Sequence, residues 1–307
     1  MSTLVFGHKS PDTDATLSAI IWAWYLTSVR GGDARAVLLG EPNTEAAFVL
    51  QHWGFERPPI IADVAPGQDV VIVDTNNPAE LPPGINDANI LGVIDHHMLV
   101  GGLKTKSPID ITIRPLACTA TVMHDIIGDD LASAPAAIRG AMLSCILSDT
   151  MQFRSPTTTP HDRAVAEALA RGLGVDIPTL AAAMFEAKSD VGAFSDAVLL
   201  RMDSKEYTID GHELRISVLE TTAPKVILDR KASLMAAMPA VAAEDGAEQV
   251  MLFIIDILRE EATLLIPNDL VRRVAEASFG VTVTGDSVLL PGIMSRKKQI
   301  IPALKLK

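Results

Sequence analysis

The chain has 307 residues, 48% hydrophobic and 21% charged, which is enough for a sizeable core in one large domain or two ordinary ones. A formal net charge of −12 and only 4% aromatics argue against general nucleic-acid binding, which needs basic or stacking surfaces. Apolar runs such as 19–26 are far too short to span a bilayer, no leader pattern is visible, and Cys118 and Cys145 match neither a disulfide framework nor zinc spacing. The expectation is a cytoplasmic protein with reduced thiols and no membrane partner.

In chain order, Leu4–Phe6 reads as a first strand, running through His8 and Pro11 into a strongly apolar helix over 14–29 that Gly31-Gly32 stops. A strand at 36–39 and a helix at 43–53 follow. Residues 69–73 form a Val/Ile strand ending in Asp74, and residues 90–94 a strand ending in Asp95, His96 and His97. Helices follow at 118–127, 135–148, 161–172 and 178–187, the second apolar nearly all round and ending at Asp149. All-apolar strands alternating with helices predict an α/β fold, a parallel sheet with helices on both faces.

The pattern weakens around 188–195, which places a domain over 1–188, a linker over 189–194 and a second domain over 195–307. In the second half, strands at 206–209 and 213–219 flank the turn pair Asp210-Gly211. A helix over 229–243, strands at 249–256 and 261–266 and a helix at 269–278 complete a smaller mixed-sheet α/β domain.

Three strands of the first half end in ligand-capable residues. In a parallel sheet the carboxyl ends of the strands form the ligand-binding edge. His8, Asp12 and Asp14 follow the first; carboxylates this close repel unless a cation neutralises them. The plainer reading is that Asp12 and Asp14 only cap a helix. Asp74 is a natural bridge between two sites, or a simple turn former. His96 and His97 are adjacent and leave the strand in different directions, so one can bind metal while the other faces substrate; Asp95 can orient a metal-bound imidazole. Asp149 sits at the negative end of a helix, where a cation partner relieves it, or the helix end is simply solvated. Two His and four Asp without thiolate suit Mn²⁺, with Co²⁺ or Fe²⁺ as substitutes, and six ligands with one bridge point to two ions. Far downstream, Arg296, Lys297 and Lys298 stand out in an acidic chain, with Lys205 upstream of them; a solvated basic tail is the alternative to an anion site.

Taken together, His8-x3-Asp12-x-Asp14, Asp74, Asp95-His96-His97 and Ser295-Arg296-Lys297-Lys298-Gln299 resemble the family II inorganic pyrophosphatases of the DHH phosphoesterase superfamily. The resemblance spans the whole chain. Its first three elements are shared by the superfamily, and the Ser-Arg-Lys-Lys-Gln run is the more specific one. It implies an N-terminal metal-binding domain and a C-terminal substrate-binding domain with the active site in a cleft between them. It also implies His8, Asp12, Asp14, Asp74, His96 and Asp149 as ligands of two Mn²⁺, with Asp74 bridging. His97 would contact phosphate and help protonate the leaving group, with Asp95 in support, and Lys205, Arg296 and Lys297 would hold the two phosphates. The implied reaction is hydrolysis of pyrophosphate by a hydroxide between the metals, with Mg²⁺ arriving on the substrate, in a homodimer joined through the N-terminal domain. The nearest alternative is another member of the superfamily, an exopolyphosphatase or an oligonucleotide or cyclic dinucleotide phosphodiesterase.

Overall fold

A computed structural model of the chain describes residues 2–306; Met1 and Lys307 lie outside the described residues. The chain divides into two compact units, one up to Lys188 and one from Ser189 on.

The first unit is built on a five-stranded sheet in the order β2-β1-β3-β4-β5, every pair parallel. The strands are β1 (Thr3–Phe6), β2 (Ala34–Ala36), β3 (Asp69–Val73), β4 (Asn89–Asp95) and β5 (Asp110–Ile113). The expected runs at 4–6, 69–73 and 90–94 are the three central strands, where burial on both faces leaves a clear apolar signal. The two edge strands were harder to read. The second lies two residues earlier than its apolar run, Leu38 forming only an isolated bridge to Ile60. The fifth was not foreseen, because its Ile111 is 56% exposed and the apolar pattern is lost.

Among the described residues, the α-helices of this unit are α1 (Thr13–Trp24), α2 (Thr44–Trp53), α3 (Thr119–Ile127), α4 (Ala136–Asp149), α5 (Pro160–Leu173) and α6 (Ile177–Lys188). The apolar pattern over 14–29 is α1 plus a wider π-type turn at Tyr25–Val29. Helix α1 packs on β1 and β2, and α4 packs across α1. On the sheet, Leu4, Phe6, Val70 and Ile72 pack with Leu81, which follows one single-turn 3-10 segment, and Ile85, which starts another. As expected, α4 is central, with an unbroken buried run from Gly140 to Ser148. No single helix among the described residues is long and apolar enough to cross a membrane.

Gly140 has a packing reason. A Cβ there would lie 2.4 Å from ring atoms of Trp53, whose Nε1–H donates to Ser144 at 3.0 Å and so cannot swing away freely. Helix propensity favours Gly140→Ala by about 1 kcal/mol. Overpacking costs about 1–3 kcal/mol, and an overlap this deep lies at the upper end. The substitution is therefore expected to lower Tm, which a thermal melt followed by circular dichroism checks; an unchanged or raised Tm would contradict the packing.

The second unit carries a mixed sheet in the order β10-β9-β8-β7-β6. Its strands are β6 (Ser204–Ile209), β7 (His212–Thr221), β8 (Gln249–Asp256), β9 (Glu261–Leu265) and β10 (Ser287–Pro291); only β7 and β8 are parallel. The expected hairpin is present: Asp210 and Gly211 take φ of 52° and 87°, the primed-turn geometry that matches strand twist. All eight residues of β8 are buried, and alternation sends them to two faces. Val250, Leu252 and Ile254 meet α7 (Asp196–Met202), α8 (Pro224–Leu228) and α9 (Lys231–Glu244). Met251, Phe253 and Ile255 meet α10 (Asp269–Phe279). Helices α7 and α8 are too short to leave a helical period in the sequence.

Candidate metal centre

The carboxyl ends of β1, β3 and β4 lie side by side on one sheet edge, because the three strands are neighbours and parallel. His8 follows β1. Asp12 caps α1, its Oδ1 accepting the Ala15 N–H at 3.0 Å, and the same oxygen lies 3.7 Å from His8 Nε2. The capping and ligand readings of Asp12 are thus compatible. Asp14 is in the first turn of α1 and buried. Asp74 follows β3 with φ of 57°, a left-handed backbone that Asp tolerates better than most residues. Asp149 is the last residue of α4.

Asp74 lies at the middle of the arrangement. Its Oδ2 is 3.6 Å from His8 Nε2 and its Oδ1 is 3.5 Å from His96 Nε2. Donor atoms of His8, Asp12 and Asp74 fall within 4.8 Å of one another, and so do those of Asp14, His96 and Asp149. The structure therefore brings all six expected ligands together as two donor sets flanking one carboxylate.

Backbone groups and two hydroxyls hold these candidate ligands in place. His96 Nδ1 lies 3.1 Å from the Leu116 carbonyl; a carbonyl only accepts, so Nδ1 carries the hydrogen and Nε2 is the nitrogen left for a cation. Asp14 Oδ2 accepts the Thr119 N–H at 2.6 Å, and its Oδ1 accepts Ser18 Oγ–H at 2.8 Å and the Ala120 N–H at 3.3 Å. Thr119 Oγ1–H donates to Asp74 Oδ1 at 3.0 Å. The N-terminus of α3 has no side-chain cap of its own at Cys118; Asp14 takes that role from across the fold. Sequence reasoning missed Leu116 and Thr119, since a carbonyl and a helix-start threonine carry no signature.

The electrostatics ask for cations. Burial and the charge of Asp74 push the Asp14 carboxyl up to about 6. Burial, with Asp14 and Asp74 beside it, pushes Asp149 well above the carboxylate range, and its Oδ2 is buried without a hydrogen-bond partner. Burial also opposes ionisation of Asp74, yet His8 and His96 outweigh it and hold that carboxyl well below the usual range. Burial likewise opposes protonation of the imidazoles, but Asp12 and Asp74 raise His8 to about 10, and Asp74 and Asp14 raise His96 to about 9. Crowded carboxylates, an orphaned buried oxygen and two inward imidazoles fit divalent cations, and the oxygen-imidazole chemistry fits manganese.

These pKa values carry a sign. Near pH 7 the metal-free chain holds His8 and His96 protonated, and a metal bound there must displace those protons. Mn²⁺ binding is expected to release protons and to tighten as pH rises from 6 to 9. Calorimetry in buffers of different ionisation enthalpy checks this; binding independent of pH would contradict it.

His97 differs from His96. Its side chain is 53% exposed, and its Nδ1 lies 2.8 Å from Asp95 Oδ1, leaving Nε2 as the outward nitrogen. That bond to Asp95 raises His97 against its partial burial. Asp95 also accepts the backbone N–H groups of His96 and His97 at 2.8 and 3.1 Å. The expectation that Asp95 orients the metal-bound imidazole is therefore corrected: Asp95 holds the ring of His97, and Leu116 holds that of His96. Asn76, which the sequence did not single out, donates to Asp95 Oδ2 at 2.6 Å and the Met98 carbonyl at 3.0 Å, and accepts the Val100 N–H at 2.7 Å. His97 borders a cavity of about 170 Å³ lined by Asp12, Asp74, His96 and Asp149, and a second of about 610 Å³ lined by His8, Lys9, Ser10 and Asn76. Cys118 and Cys145 are free and buried, their thiols pushed well up by burial and the nearby carboxylates.

In the second unit, the Ser-Arg-Lys-Lys-Gln run is a self-clipped π-type turn at Arg296–Ile300. Ser295 Oγ accepts the Lys298 N–H at 3.3 Å. Gln299 Oε1 accepts the N–H groups of Met294 and Ser295 at 2.8 and 3.0 Å, and its amide donates to the Gly292 carbonyl at 2.6 Å. Arg296 reaches Asp203, donating to its carbonyl at 2.8 Å and pairing with its carboxylate at 2.7 Å. That tie draws the turn to the start of β6, where Lys205 is exposed; Lys297 and Lys298 are exposed as well.

Comparison with known proteins places the chain. Residues 2–149 match the DHH family, N-terminal domain, and residues 182–306 match the DHHA2 domain. A Deinococcus radiodurans protein named a probable manganese-dependent inorganic pyrophosphatase is 40% identical over 306 residues, 98% of this chain and 97% of that one. The chain belongs to the manganese-dependent, family II inorganic pyrophosphatases. A Lactobacillus helveticus relative of the same name is 35% identical over 98% of this chain and 96% of its own length. A Methanococcus jannaschii structure assigned to the family II pyrophosphatases superposes with a TM-score of 0.60 at 31% identity, covering 98% of this chain and 97% of that one. An exopolyphosphatase-related protein from Bacteroides fragilis shares the fold at TM-score 0.50 and 12% identity, covering 98% of this chain and 89% of its own. The six expected ligands all fall within the DHH match, and Lys205, Arg296 and Lys297 within the DHHA2 match.

Proposed function

We propose that the chain hydrolyses pyrophosphate to two orthophosphates, and that the observation carrying this is the buried Asp74 carboxylate with an imidazole on each oxygen and a donor set on each side. Two Mn²⁺ per subunit would be held, one by His8, Asp12 and Asp74 and one by Asp14, His96 and Asp149 with Asp74 shared; Co²⁺ would substitute. Bound there, they supply Lewis acidity that makes water nucleophilic near neutral pH and neutralises phosphate charge.

The chain's own residues do the rest. His97 contacts a phosphate and delivers a proton from Nε2 to the leaving group, while Asp95 fixes the ring through Nδ1. Arg296, Lys297 and Lys205 hold the phosphates of a substrate that arrives with Mg²⁺, the guanidinium forking onto oxygens that an ammonium meets only as a point charge. The working form is a cytoplasmic homodimer joined through the N-terminal unit, and its acidic charge disfavours nucleic-acid partners.

The test is phosphate release with Mn²⁺ from pyrophosphate, polyphosphate, short oligonucleotides and cyclic dinucleotides in parallel. Pyrophosphate is expected to be turned over far faster than the others; no release from it beside good turnover of another substrate overturns the reading. Arg296→Ala is expected to raise KM for pyrophosphate about 10–100-fold, the worth of about 1.5–3 kcal/mol of charged hydrogen bonding, with Mn²⁺ content unchanged. An unaltered KM would remove Arg296 from the phosphate site.

A further inference from the structure

Among the buried acids outside the donor sets, Glu45 is the one that touches residues adjacent to the sets in sequence on two different helices. Glu45, in the first turn of α2, is 0% exposed. Its Oε2 accepts Thr13 Oγ1–H at 3.0 Å and Ser148 Oγ–H at 2.7 Å, and Lys188 Nζ lies 3.3 Å from the same oxygen. Its Oε1 is buried with no hydrogen-bond partner. Thr13 stands between Asp12 and Asp14, and Ser148 precedes Asp149. Successive helical residues point about 100° apart, so the neighbours of the ligands face away from the centre, and Glu45 meets them there.

Packing alone does not call for a carboxylate at this position. A buried charge costs stability unless donors and a counter-charge surround it, and an apolar side chain would fill the space at no such cost. The donors Glu45 collects are the two hydroxyls next to three of the six ligands. Its counter-charge is Lys188, the last residue of α6, with the N-terminal turn of α2 adding a favourable dipole.

We propose that Glu45 is a positioning residue: by tying Thr13 to Ser148 it fixes the spacing between the Asp12–Asp14 segment and Asp149, and so sets the Mn²⁺ affinity of the centre without touching the metal. This rests on the metal-centre reading above.

The geometry separates anchoring from charge. In Glu45→Gln the amide oxygen can take the place of Oε2 and keep both hydroxyl bonds, while the NH₂ takes the place of the unpartnered Oε1; Lys188, part-exposed, is left to solvent. Glu45→Ala removes the anchor. Val49→Ala, a buried truncation on the same helix, is the control for destabilisation alone.

The full-length chain is stripped of metal and titrated with Mn²⁺, free ion being followed by its EPR signal, with Tm measured for each variant. Glu45→Ala is expected to bind Mn²⁺ about 10–100-fold more weakly, the usual effect of losing a group that orients metal ligands, and Glu45→Gln to stay near wild type. At saturating Mn²⁺, KM for pyrophosphate should not move. If the unaltered chain does not bind Mn²⁺, the metal-centre reading fails. If it binds, the Glu45 role alone is overturned by wild-type affinity in Glu45→Ala, by equal weakening in Val49→Ala at matched loss of Tm, or by Glu45→Gln as weak as Glu45→Ala. Should Glu45→Ala not fold, Thr13→Val and Ser148→Ala each remove one hydroxyl; weaker Mn²⁺ binding in both supports the role, and wild-type affinity in either overturns it.

Discussion

Asp74→Asn is expected to lower pyrophosphate turnover by about 10³-fold or more and to reduce bound Mn²⁺ below two per chain. The substitution keeps the shape and removes the charge. Asp74 is the residue common to the two sides of the centre: its oxygens lie 3.6 Å from His8 and 3.5 Å from His96, and it is 2% exposed. His8 and His96 keep it ionised against burial, whereas burial and neighbouring carboxylates push Asp14 up to about 6 and Asp149 well up as well. It is therefore the carboxylate of the centre held most firmly ionised before metal arrives. An amide would place an NH₂ where an imidazole or the Thr119 hydroxyl now donates. Charge stabilisation by metals is worth several kcal/mol, and each 1.36 kcal/mol is tenfold in rate. Metal analysis after dialysis, together with phosphate release, checks both halves. Turnover within tenfold of wild type would remove Asp74 from the bridge.

The second large effect belongs to His97. His97→Gln is expected to lower turnover about 10²–10⁴-fold, the usual worth of a positioned acid, while Mn²⁺ affinity stays as it was. The division rests on geometry: His96 is turned inward by Leu116, and His97 is held outward by Asp95. The pH dependence has a definite sign. Asp95 raises the pKa of His97, so the proton-carrying form persists further into the alkaline range than for a free imidazole and is lost as pH rises through the raised value. The wild-type rate should fall on that alkaline limb, and His97→Gln should lack it. Weakened Mn²⁺ binding in His97→Gln would make His97 a ligand instead.

Much of this centre was legible because its ligands sit where chain chemistry changes abruptly. Asp74 and the Asp95-His96-His97 triplet each interrupt an all-apolar strand, and a parallel sheet sends such ends to one edge. The roles within the triplet were less legible. That His96 and His97 differ follows from their adjacency; which group orients each ring does not, since Leu116 acts through a carbonyl that any residue would supply. Thr119, Asn76 and Glu45 were missed for related reasons. Each reads locally as a helix start, a turn former or a solvated first-turn acid, and each meets its partner only once distant segments pack, Thr119 and Asp14 being 105 positions apart.

The same division runs through the fold. The sequence by itself determined the central strands, the long helices, the Asp210-Gly211 hairpin and which six candidate ligands share one sheet edge. Buried periodicity and turn chemistry are local properties, written in consecutive residues. Only the tertiary structure decided the exposed edge strand β5, the short helix α7, the two-sided surroundings of Asp74 and the bonds that orient each ligand. Those depend on which backbone groups and side chains distant segments bring together, and a hydrogen bond between them leaves no periodic trace in either.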